Sequence, residues 1–137
     1  MSGNVFLDTN ILVYLYSTSE PLKRNTSISI IKDCTCTTST QALNELSNVL
    51  IKKYKMPNNS IKTSIANISR SCLIQLVTEN TISKAVDLND RYGYSYYDCL
   101  MLASALESDC NVLFSEDMGD GQVIENKVKI VNPYKGS

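Results

Sequence analysis

Four acidic side chains, Asp8, Glu45, Asp98 and Asp117, stand where this 137-residue sequence could use them for chemistry. Hard oxygen donors of this kind suit Mg2+ or Mn2+ better than softer metals. The chain contains no histidine. That removes the commonest general base at neutral pH and every Ser-His or Cys-His mechanism. Any proton transfer would fall to carboxylates, a lysine or a bound metal.

Each acid has a structural reading beside the chemical one. Asp8-Thr9-Asn10 lies at a strand-to-helix junction, where Asp, Thr and Asn all serve as helix caps. The other reading is a metal-ligating Asp8 with Thr9 and Asn10 as its hydrogen-bond partners. Glu45 follows Ala42 by three residues and precedes Val49 by four, so it shares a helix face with apolar neighbours. An ionised Glu on such a stripe is costly unless paired, bound to a cation, or at an edge that reaches water. Asp98 precedes Met101, Leu102 and Ala105 on one face, and Ser95-x-x-Asp98 also fits a capping box. Ser115-Glu116-Asp117 closes a strand, and Asp120 sits between Gly119 and Gly121 in a loop, where an acid commonly forms a turn.

The elements that must position these groups alternate in type. A buried strand is expected at Val5–Leu7 and a helix from Ile11 to Tyr16. Pro21 suits the first position of a helix running to Asp33. A strand at Cys36–Ser39 leads to a helix over Thr40–Tyr54, and Pro57-Asn58-Asn59-Ser60 reads as a turn. Helical spacing continues through Ile61, Ile65 and Ile68, followed by a strand at Cys72–Val77. Helices over Ile82–Arg91 and Tyr96–Ser108 flank a break at Gly93, and strands follow at Asn111–Phe114 and Lys127–Val131. Such alternation implies a single α/β domain over residues 1–137, with a mainly parallel central sheet flanked by helices. In such sheets functional residues collect beyond the carboxyl ends of the strands, and Asp8 and Asp117 lie there.

Composition sets the outer bounds. The start, Met1-Ser2-Gly3-Asn4, has no basic leader, and the longest apolar run, Cys99–Leu106, is far too short for a membrane helix. A cytoplasmic protein without a membrane partner is the expectation. The five cysteines are odd in number and lack zinc spacing, so reduced, mostly buried thiols are expected. Net charge is −1. If the four candidate acids hold cations, basic residues outnumber the free acids. Lys52, Lys53, Lys55, Lys62 and Arg70 then form a modest basic rim, compatible with nucleic acid or with a merely solvated helix face. Tyr92, Tyr94, Tyr96 and Tyr97 cluster near Asp98 and could stack on bases where exposed.

Taken in order, Asp8-Thr9-Asn10, Glu45, Asp98 and Ser115-x-Asp117 resemble the motif series of PIN-domain nucleases. The run Tyr97-Asp98-Cys99-Leu100-Met101-Leu102-Ala103 is similar to that family's Asp-opened helix. The resemblance spans Val5 to Tyr134, and at this length it extends to VapC-type toxins of toxin–antitoxin pairs. It implies a PIN-like fold and a Mg2+- or Mn2+-dependent ribonuclease. Asp8, Glu45, Asp98 and Asp117 would be both metal ligands and catalytic groups. Thr9, Asn10 and Ser115 would orient carboxylates or contact phosphate, while Asp120 is an auxiliary ligand or a turn residue. RNA is the implied substrate, with a cognate antitoxin and a homodimer as partners. The alternative is a catalytically silent PIN-like module that only binds nucleic acid or protein. A phosphatase with an Asp8 nucleophile would want a second Asp two residues on, and Asn10 stands there.

Overall fold

The computed structural model describes residues 4–135; the N-terminal residues read above as lacking a basic leader, Met1–Gly3, lie outside them. Val5, Phe6 and Leu7 are fully buried, as a strand enclosed on both faces requires. They form β1 (Asn4–Leu7), which leads through α1 (Thr9–Tyr14) and α2 (Pro21–Asp33) to β2 (Thr35–Ser39). Next come α3 (Thr40–Lys52), α4 (Asn58–Ser71) and β3 (Cys72–Gln75), then α5 (Glu79–Tyr92), α6 (Tyr96–Glu107) and β4 (Val112–Phe114). The two-residue β5 (Val123–Ile124) and β6 (Val128–Val131) end the chain's regular structure.

The sheet order is β3-β2-β1-β4-β6-β5, parallel except where β5 meets β6. The chain therefore moves outward from β1 to β3, then crosses back to lay β4 on the other side of β1. This reversal opens a crevice beyond the carboxyl ends of β1 and β4, the usual ligand position in open α/β sheets. Helix contacts follow the same division. α1 packs with α2 and α3, α3 with α4, and α5 with α6, while α6 lies across β2, β4 and β6 and touches α3. Every residue of α6 from Cys99 to Leu106 is buried, which accounts for the unbroken apolar run in the sequence.

Element types follow the sequence reading, with shifts at their ends. Pro21 takes the first helical position of α2, where its missing N–H costs nothing. α5 starts three residues earlier than its apolar spacing suggests, because Thr78 and Thr81 form a reciprocal capping box. Asn58, Asn59 and Ser60 are the first turn of α4 and not a free turn, with Pro57 at its cap. β5 was not expected at all. Its hairpin turn places Glu125 and Asn126 at positive φ without the glycine that usually marks such a turn. Tertiary bonds hold it instead: Arg91 Nη1 and Tyr92 Oη donate to Glu125 Oε2 at 2.5 and 2.8 Å, and Glu125 N donates to Tyr92 Oη at 3.0 Å.

All five cysteines are free, with Cys34 half-buried and the others buried. No described helix is long and apolar enough to cross a membrane. Leu46, fully buried on α3, anchors the helix that carries Glu45. Leu46→Ala is expected to cost about 2–5 kcal/mol in urea unfolding. Ile51→Ala on the same helix, at a position 56% exposed, should change stability by roughly 0.5 kcal/mol or less.

Candidate functional site

Asp8 immediately follows β1, and its backbone N–H donates to Phe114 O at 3.1 Å, tying it to the end of β4. Its carboxylate accepts from Thr9 N at 2.7 Å and from Ser115 Oγ at 2.8 Å. The helix-capping reading of Asp8 is therefore correct as far as it goes: one oxygen caps α1. The other is held by Ser115, which is fully buried. Asp117 N donates in turn to Ser115 Oγ at 3.4 Å, and Asn10 Nδ2 donates to Asp117 Oδ2 at 2.6 Å. The first and last motifs are thus stitched together across more than a hundred residues.

Asp98 occupies the first turn of α6, its N–H donating to the cap Ser95 Oγ at 3.2 Å. Glu45 is half-buried on α3 and accepts from Gln41 Nε2 at 3.1 Å. The negative charges of Glu45 and Asp98 both act on Asp8, and that of Asp117 acts on Asp98. The structure brings the four acids to one crevice. Asp120 stands apart from them electrostatically: it accepts from Asn132 N at 2.8 Å and Lys135 Nζ at 3.1 Å, closing its loop onto the chain's end.

Asp8 is 7% exposed, and burial pushes its carboxyl up to about 6 against the bonds from Ser115 and Thr9, with Asp98 and Glu45 adding to the rise. Burial also raises Asp98; the Ser95 hydroxyl opposes this and Asp117 adds to it. Among the described residues the ion pairs go to Asp109, Glu116, Asp120 and Glu125. None reaches the four candidate acids, so their charge is uncompensated by the protein itself.

Among the described residues, no three acidic or cysteine side chains come close enough to hold one ion by direct contact alone. This spacing fits a hydrated ion better than an all-protein cage. Mg2+ commonly keeps several waters and takes one or two carboxylates plus substrate oxygens. The donors are all hard oxygens, and the buried Thr9 Oγ1 beside Asp8 has no hydrogen-bond partner among the described residues. The residues present therefore fit Mg2+ or Mn2+.

One supporting residue had no role in the sequence reading. Glu116 accepts from Tyr14 Oη at 2.6 Å and Lys23 Nζ at 2.5 Å, clasping the loop after β4 to α1 and α2. Burial works against its ionisation, yet these two bonds together hold its carboxyl below the usual range. Nothing local in the sequence marks this clasp, since its partners lie about a hundred residues away.

The raised Asp8 pKa gives stability a defined pH dependence. In the folded chain this carboxyl keeps its proton up to about pH 6, against the ordinary 3.8 of an Asp side chain in water. Folding of the metal-free protein therefore gains stability as pH falls through that window, and ionised Asp8 costs on the order of 2–3 kcal/mol at neutral pH. Asp8→Asn keeps an acceptor for Thr9 N and removes the charge. In EDTA at pH 7.5 it should raise the melting temperature by several degrees, with the gap closing toward pH 4.5. A variant no more stable than the parent at pH 7.5 would contradict this account.

Comparison with known proteins agrees with this architecture. Solved structures similar to it include a Klebsiella pneumoniae toxin–antitoxin complex, with a TM-score of 0.72, 22% identity, and coverage of 95% of this chain and 98% of that one. Mycobacterium tuberculosis VapC20, described as a sarcin–ricin loop cleaving toxin, gives 0.70 and 18%, covering 90% and 98%. VapBC2 from Rickettsia felis, bound to a promoter DNA fragment, gives 0.65 and 16%, covering 94% and 99%. At these identities the likeness speaks for the fold. No curated protein matches the sequence. The model of the PIN domain matches residues 5–119, taking in all four candidate acids, and the chain belongs to the PIN domain family.

Proposed function

We propose that this chain is a metal-dependent endoribonuclease, the toxin of a toxin–antitoxin pair, whose Mg2+ or Mn2+ is held by Asp8, Glu45, Asp98 and Asp117. The observation that carries the reading is the crevice between β1 and β4. There four carboxylates border one crevice, widely spaced and with no ion-pair partner among the described residues, one of them buried with a raised pKa. An uncompensated acidic cluster is costly to fold unless a cation binds it.

When bound, the metal supplies Lewis-acid polarisation of a phosphoryl oxygen and acidification of water. The chain's own residues set the geometry. Asp8 and Asp98 would act as principal ligands and Asp117 would complete the set, with water bridging where the carboxylates stand too far apart. Glu45, half-buried on α3, would bind metal or orient the attacking water. Ser115 and Thr9 N fix the two Asp8 oxygens, and Asn10 fixes Asp117. Asp120, engaged by Asn132 and Lys135, closes its loop and takes no part in the chemistry. The likenesses to a sarcin–ricin loop cleaving toxin and to a toxin–antitoxin complex support an RNA substrate and an antitoxin partner. A homodimer is the matching assembly.

The wide spacing of the carboxylates favours one other reading, a PIN module that binds without cleaving. Two measurements separate them. Millimolar Mn2+ should raise the melting temperature of the parent chain, and Asp8→Asn should abolish the rise. Cleavage of single-stranded RNA should require Mg2+ or Mn2+ and fall at least about 100-fold in Asp98→Asn, the scale expected when a group essential to metal chemistry is removed. No thermal shift and no cleavage, with RNA affinity intact in Asp98→Asn, would establish the silent module instead. Protons compete with the cation at Asp8, so activity should decline as pH falls through about 6.

A further inference from the structure

Next to the carboxylates, α3 and α6 leave a cleft of about 390 Å³ lined by Gln41, Asn44, Glu45, Asn48 and Tyr97. Four of these come from one face of α3, three or four residues apart, and the fifth from the first turn of α6 beside Asp98. Glu45 belongs both to the cleft and to the acidic cluster, so an occupant of the cleft adjoins the proposed reaction centre.

The tyrosines near Asp98 are sorted by their surroundings. Tyr92 donates to Glu125 and Tyr94 to Gln122, while Tyr96 is half-buried against the core. Tyr97 is 59% exposed, and its hydroxyl makes no hydrogen bond among the described residues. The Tyr96 ring meets it edge-to-face at 5.4 Å and 71°, a favourable aromatic geometry that props the exposed ring. Opposite it, Asn44 and Asn48 are exposed and make no hydrogen bond among the described residues. Asparagine is a poor choice in a helix interior, because its side chain competes for the backbone. Each amide presents a donor and an acceptor side by side, the pattern that pairs with the edge of a nucleobase.

No lysine or arginine lines this cleft, so it does not select phosphate. A second cleft of about 270 Å³ lies against the acidic cluster through Asn10, the partner of Asp117. It is lined by Lys53, Tyr54, Ser17 and Ser19, with Glu20 also at its wall. A strand bound near the carboxylates would thus have within reach a cation and hydroxyls in one cleft, and an aromatic ring with amides in the other.

We propose that Tyr97, Asn44 and Asn48 form a base-recognition site, in which one unpaired nucleobase of single-stranded RNA stacks on Tyr97 while the two amides read its edge. The proposal rests on the nuclease reading of the neighbouring carboxylates. It requires an unpaired base, since base edges inside an A-form duplex are out of reach and stacking needs a free face.

The test uses the full chain and short fluorescein-labelled oligo(U), oligo(A) and oligo(C), with affinity read by anisotropy in Ca2+ buffer. Cleavage positions in an unstructured RNA pool are mapped separately in Mn2+. Loss of one base stack corresponds to roughly 5- to 150-fold. Tyr97→Ala is therefore expected to weaken binding and raise KM within that range, while Tyr97→Phe retains both. Asn44→Ala and Asn48→Ala should change which base flanks the cut more than they change the rate. The Mn2+ thermal shift should persist in all four variants. Unchanged affinity and base preference in Tyr97→Ala and Asn48→Ala would overturn the proposal. So would a Tyr97→Ala chain that loses self-association yet binds RNA equally per protomer, since the face would then be a protomer contact. Tyr97-dependent binding without any cleavage in Mn2+ would keep the base site and remove the nuclease reading. Cleavage indifferent to Tyr97 would do the reverse.

Discussion

A carboxylate taken out of water with no basic residue to meet it is the constraint around which this molecule is arranged. Asp8 is almost fully buried, and the forces that favour its ionised form are two hydrogen bonds, from Thr9 N and Ser115 Oγ. Burial outweighs them, and the negative charges of Asp98 and Glu45 add to the imbalance. A purely structural helix cap would not call for this. Caps work at exposed helix ends, where water shares the task. A proton restores the balance at Asp8 at low pH, and on the proposed reading a cation would do so near neutrality.

The sheet topology explains how such a site is assembled from distant segments. β1 lies between β2 and β4, so the chain ends of the two central strands open side by side. Asp8 follows one and Ser115 to Asp117 follow the other. α3 starts at Thr40, directly after β2, with Ser39 as its cap accepting from Ala42 N at 3.1 Å, and brings Glu45 in from the flank. α6 supplies Asp98 from its first turn, where the helix dipole modestly favours an anion. The Glu116 clasp to Tyr14 and Lys23 then holds the β4 loop against α1 and α2, which keeps Asp117 within reach of Asn10.

The parts legible in the sequence were those whose signal is local. Apolar periodicity located helices such as α3, α4 and α5, and short apolar runs located β1 and β4. Four acids in a recognisable order pointed to the crevice that the structure shows beyond β1 and β4. Capping at Asp8 and Asp98 leaves their charge available to the crevice: Asp8 caps α1 with one oxygen, and at α6 only half of the expected box forms, Asp98 N donating to Ser95 Oγ. What escaped was set by tertiary partners. β5 exists because Arg91 and Tyr92 hold a glycine-free turn at Glu125, and no window around Val123 contains that information. Likewise Asn58 and Asn59 suit a turn or a first helical turn equally, and only the packing of Ile61 and Ile68 into the core decides. The role of Glu116 and the sorting of the four tyrosines also depended on contacts distant in sequence.

The net charge of −1 takes on a different meaning once the acids are placed. Those that form ion pairs, Asp109, Glu116, Asp120 and Glu125, are neutralised by the protein and are silent toward a ligand. The four in the crevice have no such partner, and on their own they would repel a phosphodiester. Lys53 and its exposed neighbours at the end of α3 attract the same group only weakly, since a few surface cations are screened by salt. On the proposed reading, cation and nucleic acid therefore bind with positive coupling, each raising the affinity of the other by the same factor. On that reading the acidic cluster would serve as a gate as well as a reaction centre, rejecting the polyanion until the cation has arrived.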